Sequence, residues 1–325
     1  MSNFSKDPSA TLPVKIRPSL LGRLRRVLPF QKKKVGRITV ILNPAAGQTS
    51  PLLKTFNRVF HEAGYAWDIR LTNQFGDGQH HARRAIQEGV DIVAVYGGDG
   101  SIMDVAAGMI GSQVPLAILP GGTGNALATE LSLPRLLRDS CALLVNPEHK
   151  IKAIDAAFAN DVCFMLRAGI GLDAIIVKEA DRDLVDRFGV VAYAMATIEA
   201  LNSCRPSNFH LTIDGKEIEV EGQSCMIANA ATLGLPGLML SPNVSICDGL
   251  LDVFVIRKAD LGGLLALASR VVGRTEDPTT FPHWQGTEIR VVADPLMDVE
   301  GDGELIGHTP VTLKVKPGAI RVIVP

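Results

Sequence analysis

Residues 91–103 read DIVAVYGGDGSIM, and this stretch decides the fold. Its first half is a short apolar run rich in β-branched residues, the composition of a strand buried on both faces of a sheet. Its second half breaks into glycines and then into a helix-period segment over 101–110. Two other segments repeat the pattern: 38–42 runs into NPAAG at 43–47, and 116–119 runs into PGGTGN at 120–125. With a further strand expected over 67–71 and helices over 52–63 and 79–88, the alternation predicts an open, mainly parallel α/β sheet. Ligands of such sheets bind beyond the carboxyl ends of the strands, where these three turns lie.

Each turn has a physical use. Glycine lets a ligand approach the main chain, and successive amides at the start of a helix receive phosphate. One such turn is as well explained by a tight strand-to-helix connection; three at one sheet edge point to a nucleotide. Asp99, set among amides meant for phosphate, would repel the ligand as a bare carboxylate, so it is expected to act through Mg²⁺ or ordered water. The turns lack a P-loop lysine and GxGxxG spacing, which disfavours a Walker NTPase or an ordinary dehydrogenase.

Working outward, the strands after Pro147 become more numerous, at 152–158, 162–168, 209–213, 224–229, 251–256, 287–292, 310–315 and 319–324, which suggests a β-sandwich-like second domain. A helical excursion over 174–201 carries an apolar face that serves either core packing or a substrate pocket. The apolar stretch 261–274 reads as a capping helix or as a surface dipping into lipid. At 325 residues, 46% hydrophobic and 21% charged, the chain is a folding, multidomain one, without the roughly 18 uncharged apolar residues of a membrane span. The expected units are a basic tail over 1–36, a nucleotide-binding domain over 37–147 and a β-rich domain over 148–325.

Charge is unevenly placed. Through Arg37 there are ten basic side chains against the single acid Asp7, out of 33 and 34 in the whole chain. Residues 19–30 (SLLGRLRRVLPF) put leucines and a valine at helical spacing, and three lysines follow at 32–34. The tail reads as an anchor on an anionic membrane surface, with a solvated lead-in or a nucleic-acid arm as the alternatives. Five widely spaced cysteines read as buried free thiols of a reducing cytosol.

NPAAG, VYGGDGSIMDVAAGM and LAILPGGTGNALATEL resemble the nucleotide motifs of the diacylglycerol kinase catalytic family, which includes bacterial diacylglycerol and YegS-like lipid kinases and the sphingosine kinases. AGIGLDA at 168–174, DGLLDV at 248–253 and DGE at 302–304 resemble its carboxyl-terminal signatures, which the NAD kinases do not share. The resemblance implies ATP bound by Asn43, Gly47, Thr72, Gly97, Gly98, Asp99, Gly100, Ser101, Ile102, Met103, Gly122, Thr123 and Asn125. It implies a structural Mg²⁺ on Asp248 with Ser245 and Leu250. It also implies Asp302 as the base that takes the proton of a lipid hydroxyl, Glu304 as its partner, and an active site between the two domains.

Ser101, Asp104 and Ala126 stand where the family mostly has threonine, glutamate and, in many members, aspartate; the last leaves catalytic metal binding to Asp99 and water. Taken alone, DGLLDV is also a turn feeding a strand, and DGE a polar hairpin with Asp298 as second choice for the base. The expected function is transfer of the ATP γ-phosphoryl group to a lipid such as diacylglycerol or a sphingoid base, by a cytoplasmic, peripherally membrane-associated enzyme. The alternatives are a catalytically silent family member or an NAD kinase-like phosphotransferase. No nucleic-acid partner is expected, and a homodimer stays open.

Overall fold

The computed structural model describes residues 35–46, 51–122, 124–171, 206–232, 239–257 and 282–325. The basic tail, both apolar excursions at 174–201 and 261–274, Gly47, Thr123 and Cys204 lie outside them.

The amino-terminal half alternates strands and helices: β1 (Arg37–Leu42), α1 (Leu52–Glu62), β2 (Ala66–Leu71), α2 (Asp77–Gln87), β3 (Ile92–Gly97), α3 (Asp99–Met109) and β4 (Leu116–Pro120). Two shorter helices follow, α4 (Ala126–Glu130) and α5 (Leu137–Val145). The strands pair in parallel in the order β2, β1, β3, β4. β3 is apolar throughout because helices cover both its faces. Val93 and Val95 belong to the cluster with Val105 and Met109 of α3, whereas Ile92, Ala94 and Tyr96 belong to the one with Phe56 and Phe60 of α1.

The carboxyl-terminal half is β-sandwich-like. Its strands are β5 (Lys150–Ala159), β6 (Val162–Phe164), β7 (Arg167–Ile170), β8 (Ser207–Ile213), β9 (Lys216–Gly222), β10 (Ser224–Ala228), β11 (Leu251–Ile256), β12 (His283–Gly286), β13 (Glu288–Asp294), β14 (Asp298–Gly301), β15 (Glu304–His308) and β16 (Val311–Val324). One sheet runs β12, β11, β10, β7, β14, β15; the other strands extend the parallel sheet through β16. Alternation shows which face is covered: on β8 Phe209, Leu211 and Ile213 point into the core shared with Ala168, Ile170, Ile227 and Val253 of the opposing sheet.

β16 joins the halves. Its first part pairs antiparallel with β13, its length pairs antiparallel with β5, and Val322 pairs in parallel with Leu116 of β4. The sequence reading treats 310–315 and 319–324 as two strands. They form one, because the break at Pro317 and Gly318 is absorbed as a register shift against β5 in which Gly318 takes φ +57. Asp155, 2% exposed, fixes that irregularity: its carboxylate accepts the amides of Gly318 and Gly249, each at 2.7 Å.

The single strand expected over 162–168 is instead divided. β6 pairs with β5, while β7 pairs with β10 and β14 in the other sheet. Between them the amides of Met165, Leu166 and Arg167 all donate to the Asp302 carboxylate, and the Leu166 carbonyl accepts from Asn229 and Ala230. Backbone groups committed in this way cannot continue a ladder. The thiols also differ from expectation: Cys141 and Cys225 are buried, but Cys163 is half-buried and Cys247 exposed. Burial pushes the Cys163 thiol up to about 12, with the Asp302 charge adding to it.

Candidate functional site

In the order β2, β1, β3, β4 the chain reverses direction across the sheet between β1 and β3, and the crevice at their carboxyl ends is where such a sheet receives a ligand. Asn43 closes β1 there. Its amide donates to the Tyr96 carbonyl, its Nδ2 donates to Ser101 Oγ at 2.9 Å and its Oδ1 accepts from Ala45 at 2.9 Å. Thr72, at the end of β2, donates its amide to the Leu42 carbonyl beside it. Gly97 has no room for a side chain: a Cβ would lie 2.5 Å from that of Ser101. The first internal bond of α3 runs from Ile102 to Gly98, so the amides of Asp99, Gly100 and Ser101 begin the helix without helical partners. These are the anion-receiving groups of the turn.

Ile102 and Met103 hold the turn from below. Ile102 is fully buried with its amide spent on Gly98, and Met103, partly buried, packs on the same core. Asp104 faces away from the crevice, its carboxylate accepting the amides of Gly76 and Gly78 where α2 begins.

Asp99 is not the lone carboxylate that the sequence suggests. Its Oδ1 accepts the Ala126 amide at 2.6 Å, at the head of α4, and a Cβ on Gly124 would lie 2.8 Å from its Oδ2. Burial raises its carboxyl above the ordinary value, while the amides of Ala126, Asn125 and Leu127 and the Arg167 guanidinium pull it back. Asn125 adopts φ +54 and folds its amide group onto Gly122, accepting from the Gly122 amide and donating to its carbonyl. The second and third turns thus lie against each other. The Ala126 methyl is buried in the core, so the family's aspartate position contributes here through its backbone amide.

The other candidate carboxylates lie on the hairpin of β14 and β15. Asp302 and Gly303 have φ +50 and +95, the two positive values of a type I′ turn, which explains the Asp-Gly pair. The Asp302 carboxylate turns inward. Oδ2 accepts the Met165 amide at 2.6 Å, and Oδ1 accepts those of Leu166 and Arg167 at 2.9 and 3.0 Å. Burial raises this carboxyl, against the lowering by the three amides and by the Arg167 guanidinium. Glu304 is exposed, and its carboxylate makes no hydrogen bond or ion pair among the described residues. Asp298 pairs with His308 Nδ1 at 2.8 Å.

A set of contacts links this hairpin to the glycine turns. Arg167 donates from Nη1 to the Thr232 carbonyl at 3.4 Å, and the Thr232 amide donates to Glu130 Oε2 at 2.9 Å, at the end of the helix that Asp99 caps. Elsewhere, Ser245, Asp248 and Leu250 lie on one loop. Asp248 Oδ1 accepts the Leu250 amide at 3.0 Å, and burial raises its carboxyl with the charges of Asp252 and Asp155 adding to the rise. The Asp248 carboxylate with the backbone carbonyls of Ser245 and Leu250 would be an all-oxygen set of the kind a hard cation takes, while the Ser245 hydroxyl is occupied by the Cys247 amide. Among the described residues no three histidine, cysteine or acidic side chains converge as a metal cluster.

Residues 37–159 match the diacylglycerol kinase catalytic domain, and residues 167–324 match the YegS C-terminal NAD kinase beta sandwich-like domain. The chain belongs to the diacylglycerol kinase catalytic-domain family. This kinase-family chain is 26% identical over 282 residues to a diacylglycerol kinase of Bacillus subtilis, covering 84% of the chain and 91% of that relative. It is 32% identical over 262 residues to an uncharacterised protein of Synechocystis, covering 79% of the chain and 58% of the length of that relative. The crystal structure of a diacylglycerol kinase from Bacillus anthracis superposes with a TM-score of 0.72 at 26% identity, covering 90% of this chain and 99% of that one.

In this kinase-family chain the structure brings together Asn43, Thr72, Gly97, Gly98, Asp99, Gly100, Ser101, Gly122 and Asn125 at one crevice. Gly47 and Thr123 lie outside the described residues. Sequence reasoning missed Arg167, Glu130 and Asn229. The one available signal was a lone cation inside the apolar run FMLRAGI at 164–170. One glycine can be tested directly. A Cβ on Gly122 would lie 2.6 Å from Gly98 Cα, backbone against backbone, so G122A forces the two turns apart. ATP affinity measured by calorimetry is expected to fall at least about tenfold; unchanged affinity would place the nucleotide away from these turns.

Proposed function

We propose that this chain transfers the γ-phosphoryl group of ATP to the hydroxyl of a lipid such as diacylglycerol, a sphingoid base or a related acylated alcohol. The observation that carries the reading is that a buried carboxylate of raised proton affinity, Asp302, is tied through residues 165–167, Thr232 and Glu130 to the helix whose first amide is held by the glycine-turn carboxylate, Asp99. Phosphoryl transfer asks little more of a protein than an in-line hydroxyl, a nearby base and positive charge over the phosphates.

In this reading the α3 amides receive the phosphates. The lipid hydroxyl oxygen attacks the γ-phosphorus, its proton passes to Asp302, and the bond to the bridging oxygen breaks with the electron pair leaving on ADP. Mg²⁺, when bound, neutralises phosphate charge. Asp99 would act on it through water, since Oδ1 already accepts an amide, and the Asp248 carboxylate with the carbonyls of Ser245 and Leu250 would hold a second, structural ion. Among the described residues no helix is long and apolar enough to cross a membrane. The basic tail is proposed to concentrate the enzyme on an anionic cytoplasmic surface, at about 1 kcal/mol per basic residue near the lipid.

The test is transfer of labelled γ-phosphate from Mg·ATP to lipids in mixed micelles, with the products resolved by chromatography and NAD included as an acceptor. A labelled lipid is expected. Label on NAD in preference to every lipid would replace this reading with a soluble phosphotransferase, and ATP binding without transfer to any acceptor would make the chain a silent binder.

A further inference from the structure

We propose that Arg167 is the cation that grips the γ-phosphate, its guanidinium placed between the glycine turns and the Asp302 hairpin; this rests on the transfer reading above and names a residue for it. The argument begins with the strand. Ala168 and Ile170 of β7 face the sandwich core, so Arg167 projects from the opposite face. Its own backbone fixes where it starts: the Arg167 amide donates to Asp302 Oδ1 at 3.0 Å and its carbonyl accepts the Asp302 amide at 3.0 Å. Its side chain then reaches Thr232, which Glu130 ties to α4.

The same guanidinium acts electrostatically on Asp302 and on Asp99, opposing at both the rise that burial causes. Its charge is thus felt both by the proposed base and by the glycine-turn carboxylate, and its hydrogen bond to Thr232 points it toward the segment that Glu130 ties to α4. The glycine turns GGDGS and PGGTGN contain no lysine or arginine. Charge that develops on the equatorial oxygens during transfer must be met from elsewhere, and a planar guanidinium with five donors suits that group.

The experiment uses the full chain with R167Q, R167K and R167A. Calorimetry compares the affinities of Mg·ATP and Mg·ADP, and the lipid transfer assay gives kcat and KM. R167Q is expected to lower kcat by about 10²- to 10³-fold, to lose ATP affinity and to keep ADP affinity, with R167K intermediate. Millimolar guanidinium should restore part of the R167A rate. A structural role would move ATP and ADP affinity together, along with the melting temperature. Parallel loss of both nucleotides, or a kcat within threefold of wild type, overturns the proposal. Should wild type show no transfer, the kinase reading fails by itself, and the difference between ATP and ADP binding still decides the role of Arg167.

Discussion

D302N is expected to abolish most lipid phosphorylation, by about 10²- to 10⁴-fold in kcat, the range for loss of a general base. The geometry adds a second consequence. Oδ1 of Asp302 receives two amides and Oδ2 one, so an asparagine that keeps its oxygen toward Leu166 and Arg167 sets an NH₂ group against the Met165 amide. A donor facing a donor costs about 1–3 kcal/mol. The melting temperature should therefore fall together with the rate, and the two are separated by a pH profile.

Only the ionised carboxylate accepts the proton, and burial raises Asp302 above the ordinary 3.8. The wild-type rate is thus expected to climb with pH through that raised value, with an acid limb above the usual carboxylate range. D302N should lack this limb in its residual activity. A variant that keeps wild-type kcat, or keeps the limb, would leave Asp302 as a clamp on residues 165–167 and return attention to Asp298.

D155A is expected to be the most destabilising single change away from the crevice. The carboxylate is almost completely buried and serves two amides on separate segments, Gly249 on the loop before β11 and Gly318 in the irregularity of β16. Removing it strands both donors and the packing around them, at about 3–4 kcal/mol. That corresponds to a fall in melting temperature of roughly 5–10 °C, measurable by calorimetry. D155N keeps the shape but can accept at only one of its two positions, so about half the loss is expected. A change below 1 kcal/mol in both variants would show that these amides find other partners.

The amino-terminal half was legible because its signals are local. Apolar runs such as IVAVYG and LAILP form strands covered on both faces, and the glycines after them mark the sheet edge that binds ligands. In the other half, β9, β12, β14 and β15 escaped. The Asp214-Gly215 and Asp302-Gly303 pairs, both with positive φ at each residue, are hairpin signals; β9 alternates only Ile218 and Val220 with glutamates, and β14 and β15 are too short and polar to show a period. The division between β6 and β7 could not be read from 162–168, since it depends on a carboxylate more than 130 positions away. The same distance hid the site's chemistry. That Asp99 caps α4, and that Arg167 acts on both Asp99 and Asp302, are facts of tertiary contact between segments that the sequence keeps apart.

β16 carries a consequence for biosynthesis. One flank of the parallel sheet, that of β4, is covered by a strand read from the messenger about two hundred codons later. A nascent chain that has emerged through α5 holds its glycine turns but leaves a hydrogen-bonding edge exposed, a state prone to mispairing with other chains. Completion of the amino-terminal half thus waits on translation of the carboxyl-terminal half, so a prematurely released chain would be expected to yield aggregate in place of a soluble α/β fragment.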